Sequence, residues 1–165
     1  MKQICKENRK FESGRSMIEM IAVIAIMGLL TASAFTLIKS GLTSQKIART
    51  ADEIDILASN VRAMTAQSID FSSLPTTEEE GKTLAKTILK SVGTESVSPL
   101  GGTYYIMYKE EAGSDDQCKD ALVVGIKSMK EAVFCETMAN RSYSIGFCEA
   151  VCDDKTLEIY YTKTN

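Results

Sequence analysis

Residues 20–38 read MIAVIAIMGLLTASAFTLI, nineteen residues without a charge whose only polar side chains are Thr31, Ser33 and Thr36. At roughly 1.5 Å per residue a helix of this length spans roughly 28 Å, close to the ~30 Å hydrocarbon core of a bilayer. Hydroxyls are tolerated there because they bond back to the preceding helical turn. The run therefore predicts one membrane-spanning helix. The rival reading is a cleavable secretory signal, whose apolar stretch is about 7–15 residues. Here the run is longer, and helical sequence continues past it through LIKSGLTSQKIARTADEIDILASNVRAM at 37–64.

The flanks orient the helix. Lys2, Lys6, Arg9 and Lys10 outweigh Glu7 and Glu12, so the first 14 residues carry a net charge of +2, and Arg15 adds to it. An excess of basic residues stays on the cytoplasmic side, which places the bulk of the chain outside. Glu19, at the head of the apolar run, does not suit a plain anchor, because an ionised carboxylate becomes costly as it enters the membrane.

The whole chain has 165 residues with 44% hydrophobic and 25% charged side chains, an ordinary globular composition. Its net charge of −3 gives no support to a nucleic-acid-binding surface. Histidine is absent, which removes Ser-His and Cys-His nucleophilic pairs and HExxH zinc sites. No nucleophile motif, metal cluster or phosphate loop points to an enzyme or a cofactor. Asp115-Asp116 and Asp153-Asp154 are carboxylate pairs, but adjacent side chains diverge on a helix or a strand, so both read as caps or turns.

Gly14-Arg15-Ser16-Met17-Ile18-Glu19-Met20, followed by the apolar run, resembles the N-terminal motif of type IV pilins and pseudopilins. The resemblance implies a leader over 1–14, cut between Gly14 and Arg15 by a prepilin peptidase. Glu19 then becomes the fifth mature residue, and Gly28 stands at the fourteenth, where many members have a helix-loosening glycine. Arg15 stands where members usually have Phe or Met, and Thr36 where many have proline. Removal of the leader would leave 151 residues with a net charge of −5.

The resemblance further implies an α+β fold: a long N-terminal helical spine on a small antiparallel sheet head, with additional helices and disulfides. Its segments would be the leader, a transmembrane and filament-core helix over 15–38, an amphipathic half over 39–68, and a pilin head over 69–165. The implied partners are the prepilin peptidase, an inner-membrane assembly platform and further copies of the chain. The implied location is the bacterial inner membrane before assembly and a surface pilus afterwards. A major pilin, a minor pilin and a secretion pseudopilin share these features. A membrane-tethered binding module that never polymerises remains an alternative from another class.

Beyond the membrane, Ile47, Ile54, Leu57, Val61 and Met64 mark one helical face. Gly41 is expected to be a soft point between the two halves of the helix. Phe71 to Thr77 reads as a loop, with Thr76 or Thr77 capping a helix whose first turn holds Glu78, Glu79 and Glu80. Leu84, Ile88, Leu89 and Val92 form its stripe, and Gly93 ends it. A strand is expected over 103–108, a helix capped by Ser114 over 115–130, and strands over 142–147 and 156–162.

Cys5 lies in the implied leader. The other four cysteines, Cys118, Cys135, Cys148 and Cys152, fall in the exported part and read as two disulfides. A four-thiolate zinc site is the rival, but only Cys148 and Cys152 are close enough for a knuckle. Four cysteines allow three pairings, which spacing does not separate. The family resemblance suggests Cys118–Cys152, tying the head helix to the last strand, and leaves Cys135–Cys148.

Overall fold

The computed structural model describes residues 17–68, 71–111, 118–144 and 146–163. Among these are three helices, α1 (Met17–Met64), α2 (Glu78–Ser91) and α3 (Ala132–Ala139). Four strands, β1 (Thr103–Glu111), β2 (Lys119–Lys127), β3 (Phe147–Asp153) and β4 (Thr156–Tyr161), form one antiparallel sheet in the order β1-β2-β4-β3. The fold is α+β, as expected. The chain divides into two compact units, Met1–Gly41 and Leu42–Asn165, and α1 is helical through Gly41.

The second unit is built on a sheet with two apolar faces. Tyr104 and Ile106 of β1, Leu122, Val124 and Ile126 of β2, and Leu157, Ile159 and Tyr161 of β4 face the main core. Ile54, Leu57, Ala58 and Val61 of α1 join that core, as do Ala85, Ile88 and Leu89 of α2. Ile47 packs at its margin, whereas Met64, expected on the same stripe, is exposed. On the other face Tyr105, Ala121, Val123 and Tyr160 form a second cluster with Cys118.

Helix α2 follows its sequence signals closely. Val92 caps it, Gly93 takes φ +80°, and Gly93 N and Thr94 N donate to the Lys90 and Leu89 carbonyls. This is the left-handed C-terminal closure that glycine permits. Val92 itself is exposed. Its N-terminus differs from expectation: Thr77 holds the cap position in extended backbone, but its hydroxyl bonds Glu80 Oε2 at 3.0 Å rather than the backbone. Gly81 lets α2 approach β1, since a Cβ there would lie 2.2 Å from the Ile106 carbonyl oxygen.

The largest correction concerns 115–130, expected as a helix. Lys119–Lys127 is instead the central strand β2, paired with β1 on one side and β4 on the other. Residues 121–126 are all buried because both faces of the strand are covered. A doubly buried strand reads as a continuous apolar run, without the alternation that marks a half-buried strand. The expected cap at Ser114 and the Asp115-Asp116 pair lie outside the described residues. The expected strand over 142–147 is also displaced to Phe147–Asp153. Ahead of it stands α3, which the sequence reading did not anticipate.

Cys118, Cys135, Cys148 and Cys152 form two disulfides, but with a different pairing from the one suggested. Cys118 bonds Cys148 and Cys135 bonds Cys152, with Cα–Cα distances of 6.0 and 5.7 Å. The physical reason lies in a bulge. The β3–β4 register runs from Phe147↔Tyr161 directly to Glu149↔Tyr160, so Cys148 is an extra residue. Cysteines four apart on a regular strand share a face, whereas a bulge inserts a residue and changes the alternation. Cys148 accordingly joins the outer cluster and Cys152 the main core.

Candidate functional site

In the first unit the apolar half of α1 is bare. Met17, Leu29 and Leu37 are 80%, 72% and 72% exposed, and none of the helix's most apolar window is buried. It is long and apolar enough to cross a membrane. Its hydroxyls turn inward on the helix: Ser33 Oγ donates to the Leu29 carbonyl at 2.6 Å and Thr36 Oγ1 to the Ser33 carbonyl at 2.8 Å. Thr31 and Ser40 do the same with Met27 and Leu37. In hydrocarbon, such bonds satisfy polar groups that water does not reach. Glu19 lies in the first turn and is exposed, and Gly28 has open space around its Cβ position. Gly14 and Arg15 lie outside the described residues.

Within the second unit, α1 is tied to the sheet by polar bonds as well as packing. Glu53 is 3% exposed, accepts the Tyr104 hydroxyl hydrogen at 2.6 Å and pairs with Arg49 Nε at 3.0 Å. Thr50 and Ser98 hydroxyls lie 3.3 Å apart beside this group. Burial and the Glu53 carboxylate push the Tyr104 phenol well above its ordinary range, so it stays a donor. Further along α1, Asp55 accepts the Ser144 backbone N–H at 3.1 Å. Arg62 donates to the Thr162 carbonyl at 3.3 Å and lies 5.3 Å from the centre of the Tyr161 ring. Gly146 makes room for that guanidinium: its φ is +80°, and a Cβ would lie 2.1 Å from Arg62 Nη2.

The opposite face of the sheet carries a second polar group. Tyr105, Gly125, Glu158 and Val151 stand opposite one another across four strands. Gly125 has no side chain to block the Tyr105 ring, and a Cβ there would lie 2.2 Å from Cζ. Tyr105 therefore reaches across the central strand and donates to Glu158 Oε1 at 2.8 Å. Lys109 Nζ and the Tyr160 hydroxyl bond Glu158 Oε2. Burial works to raise the Glu158 pKa, but the bonds from Lys109, Tyr160 and Tyr105 outweigh it and hold the carboxyl below its usual range. A cleft of about 480 Å³ beside it is also lined by Glu78, Lys127 and Asp153. Lys127 and Glu78 pair at 2.6 Å. The lysines here are matched to carboxylates, and the tyrosines are held protonated, which suits cross-strand bracing. Among the described residues no group of three or more potential ligands is poised for a metal ion.

No protein-family model, no curated protein and no solved structure matches this chain. Its architecture stands on its own: a 48-residue N-terminal helix, a four-stranded antiparallel sheet and two disulfides. That arrangement matches a pilin-like architecture. The sequence reading found the bare half of α1 and the four bonded cysteines. It missed Glu53, Tyr104, Arg62, Gly125 and Gly146 as structural ties. Gly125 alone left a signal, because a glycine inside an apolar strand marks close approach of another group.

Proposed function

We propose that this protein is the structural subunit of a type IV pilus-like filament. It is made as a membrane-anchored precursor with its N-terminus in the cytoplasm, cut after Gly14 by a prepilin peptidase, and passed to an inner-membrane assembly platform. The carrying observation is that one continuous helix, α1, is bare and apolar over its first half and built into a disulfide-bonded domain from Thr50 onward. A bilayer covers the bare half before assembly, and a bundle of the same helices covers it afterwards.

Glu19 gives the bundle its register. Cleavage frees an amine on Arg15, and Glu19 of one subunit meets the amine of its neighbour. Either charge alone is penalised in a low-dielectric bundle, while the pair attracts strongly there. The role is assembly rather than catalysis, and no cofactor or nucleic acid enters it. The deciding experiment is N-terminal sequencing of the protein in sheared surface material. Arg15 as the first residue supports both processing and location, whereas an intact Met1 or a cut inside the apolar run overturns the reading.

A further inference from the structure

The disulfides are interlaced. In chain order the cysteines are Cys118, Cys135, Cys148 and Cys152, and the first bonds the third while the second bonds the fourth. The two closed loops therefore overlap. We propose that the protein is a client of a thiol–disulfide isomerase, reaching this pairing by exchange from the consecutive bonds Cys118–Cys135 and Cys148–Cys152. The proposal rests on the export step of the preceding section, which brings the cysteines one after another into an oxidising compartment.

Three features carry it. First, Cys148 and Cys152 are only four residues apart, while Cys118 and Cys148 are separated by 30. On chain-length entropy alone the short loop closes about twentyfold more often. Second, Cys118 and Cys148 are brought together late. Cys118 immediately precedes β2 and Cys148 lies in β3, and these strands are not neighbours; β4 lies between them and must pair on both sides first. Contact between Cys148 and Cys152 needs no strand pairing at all, so this bond can be oxidised while the chain is still unfolded. Third, the folded strand rejects the fast product. The bulge at Cys148 sends the two β3 cysteines to opposite faces of the sheet, so a Cys148–Cys152 bond and native β3 pairing exclude each other.

The exchange balances without any net oxidant. The isomerase thiolate attacks Cys148 of the Cys148–Cys152 bond, forming a mixed disulfide and releasing the Cys152 thiolate. Cys152 attacks Cys135 of the Cys118–Cys135 bond, forming Cys135–Cys152 and releasing the Cys118 thiolate. Cys118 then attacks Cys148 of the mixed disulfide, forming Cys118–Cys148 and returning the isomerase thiolate. Two disulfides enter and two leave. The earlier oxidation that made the consecutive bonds consumes two disulfides of a thiol oxidase, each reduced to a dithiol.

The test uses the full-length chain in detergent with Cys5→Ser, which removes an extra exchanging thiol. The reduced, denatured protein is returned to folding conditions with oxidised glutathione, with or without protein disulfide isomerase, and acid-quenched samples are peptide-mapped without reduction. The expected early species carry Cys148–Cys152, and the isomerase speeds their conversion to Cys118–Cys148 and Cys135–Cys152 at least tenfold. A Cys118→Ser/Cys148→Ser variant, which has only one bond to form, is expected to form it at an unchanged final yield with or without the isomerase. The proposal is overturned if native bonds form first without a Cys148–Cys152 species, or if the isomerase leaves the conversion rate unchanged. Peptide mapping of the full cysteine set decides this even if the variant does not fold. Failure of the filament reading would appear separately, in the N-terminal sequence of the surface protein.

Discussion

The Tyr104 hydroxyl lies 2.6 Å from Glu53 Oε2, joining the first strand of the sheet to a carboxylate on α1 that is 3% exposed. Most of the α1 surface turned to the core is apolar and indifferent to small shifts along the helix. A directional bond between two buried groups is not, so this pair sets where α1 sits on the sheet.

Tyr104→Phe keeps the ring and removes the donor, leaving a buried carboxylate with Arg49 as its partner. The expected loss is about 1–3 kcal/mol of stability. The check is chemical denaturation of the full chain in detergent. A Glu53→Gln/Tyr104→Phe pair is expected to cost less than the sum of the single changes, because the two residues share one bond.

Gly125→Ala forces the Tyr105 ring away, since the new Cβ would stand 2.2 Å from it. Overpacking of this kind costs about 1–3 kcal/mol. Tyr105→Ala in the same chain is expected to recover part of that loss by clearing the space. Full additivity of the two losses would show that the Tyr105 ring does not occupy the place of the missing side chain.

Glu158 makes the head acid-sensitive. Its carboxyl pKa is lower in the folded state than the ordinary value of 4.5, so the unfolded chain binds the proton more readily. The stabilisation is present above about pH 4.5 and is lost as pH falls through the folded-state value. Glu158→Gln is expected to flatten the decline of stability with acid in that window. Denaturation midpoints from pH 7 down to about pH 3 provide the measurement; an unchanged slope would mean that Glu158 gains nothing from its partners.

Under the proposed filament function, Glu19→Ala is expected to abolish filaments in sheared material while the processed subunit accumulates in the membrane. Undiminished assembly would remove the register role given to Glu19. Immunoblots of the sheared and membrane fractions separate the two outcomes.

Gly146→Ala meets both a left-handed backbone and the Arg62 guanidinium, with φ +80° and a contact of 2.1 Å. The expected effect is loss of the Arg62 tie to Thr162 and about 1–3 kcal/mol of stability. Faster amide exchange in β4 would follow the change. Pairing it with Arg62→Ala is expected to be less than additive.

Local chemistry was legible wherever one face or one terminus decided the outcome. The membrane-length run, the acidic first turn of α2, its Gly93 ending and the aromatic strand β1 all appear where their residues place them. The errors arose where the environment on both sides mattered. The apolar run 121–126 by itself suits a strand as well as a helix, and the Ser114 cap with its early acids points to a helix; burial of both strand faces removes the alternation that would oppose that reading. Met64 continued the apolar spacing of α1 yet lies beyond the core, since periodicity does not say where the packing partner ends.

By itself, the sequence determined that the chain has an apolar helix of membrane-spanning length near its N-terminus, that four cysteines stand in the part beyond it, and that helical and strand segments follow one another there. These follow from properties each segment carries alone: length, hydropathy, charge and turn chemistry. Tertiary structure alone decided the role of β2, the ties from Glu53 and Arg62, and the pairing of the cysteines. The pairing depends on one extra residue at Cys148, which alters the alternation of β3 only once β4 lies beside it. Before that strand is paired there is no face for either cysteine to occupy, so no spacing along the chain could have named their partners.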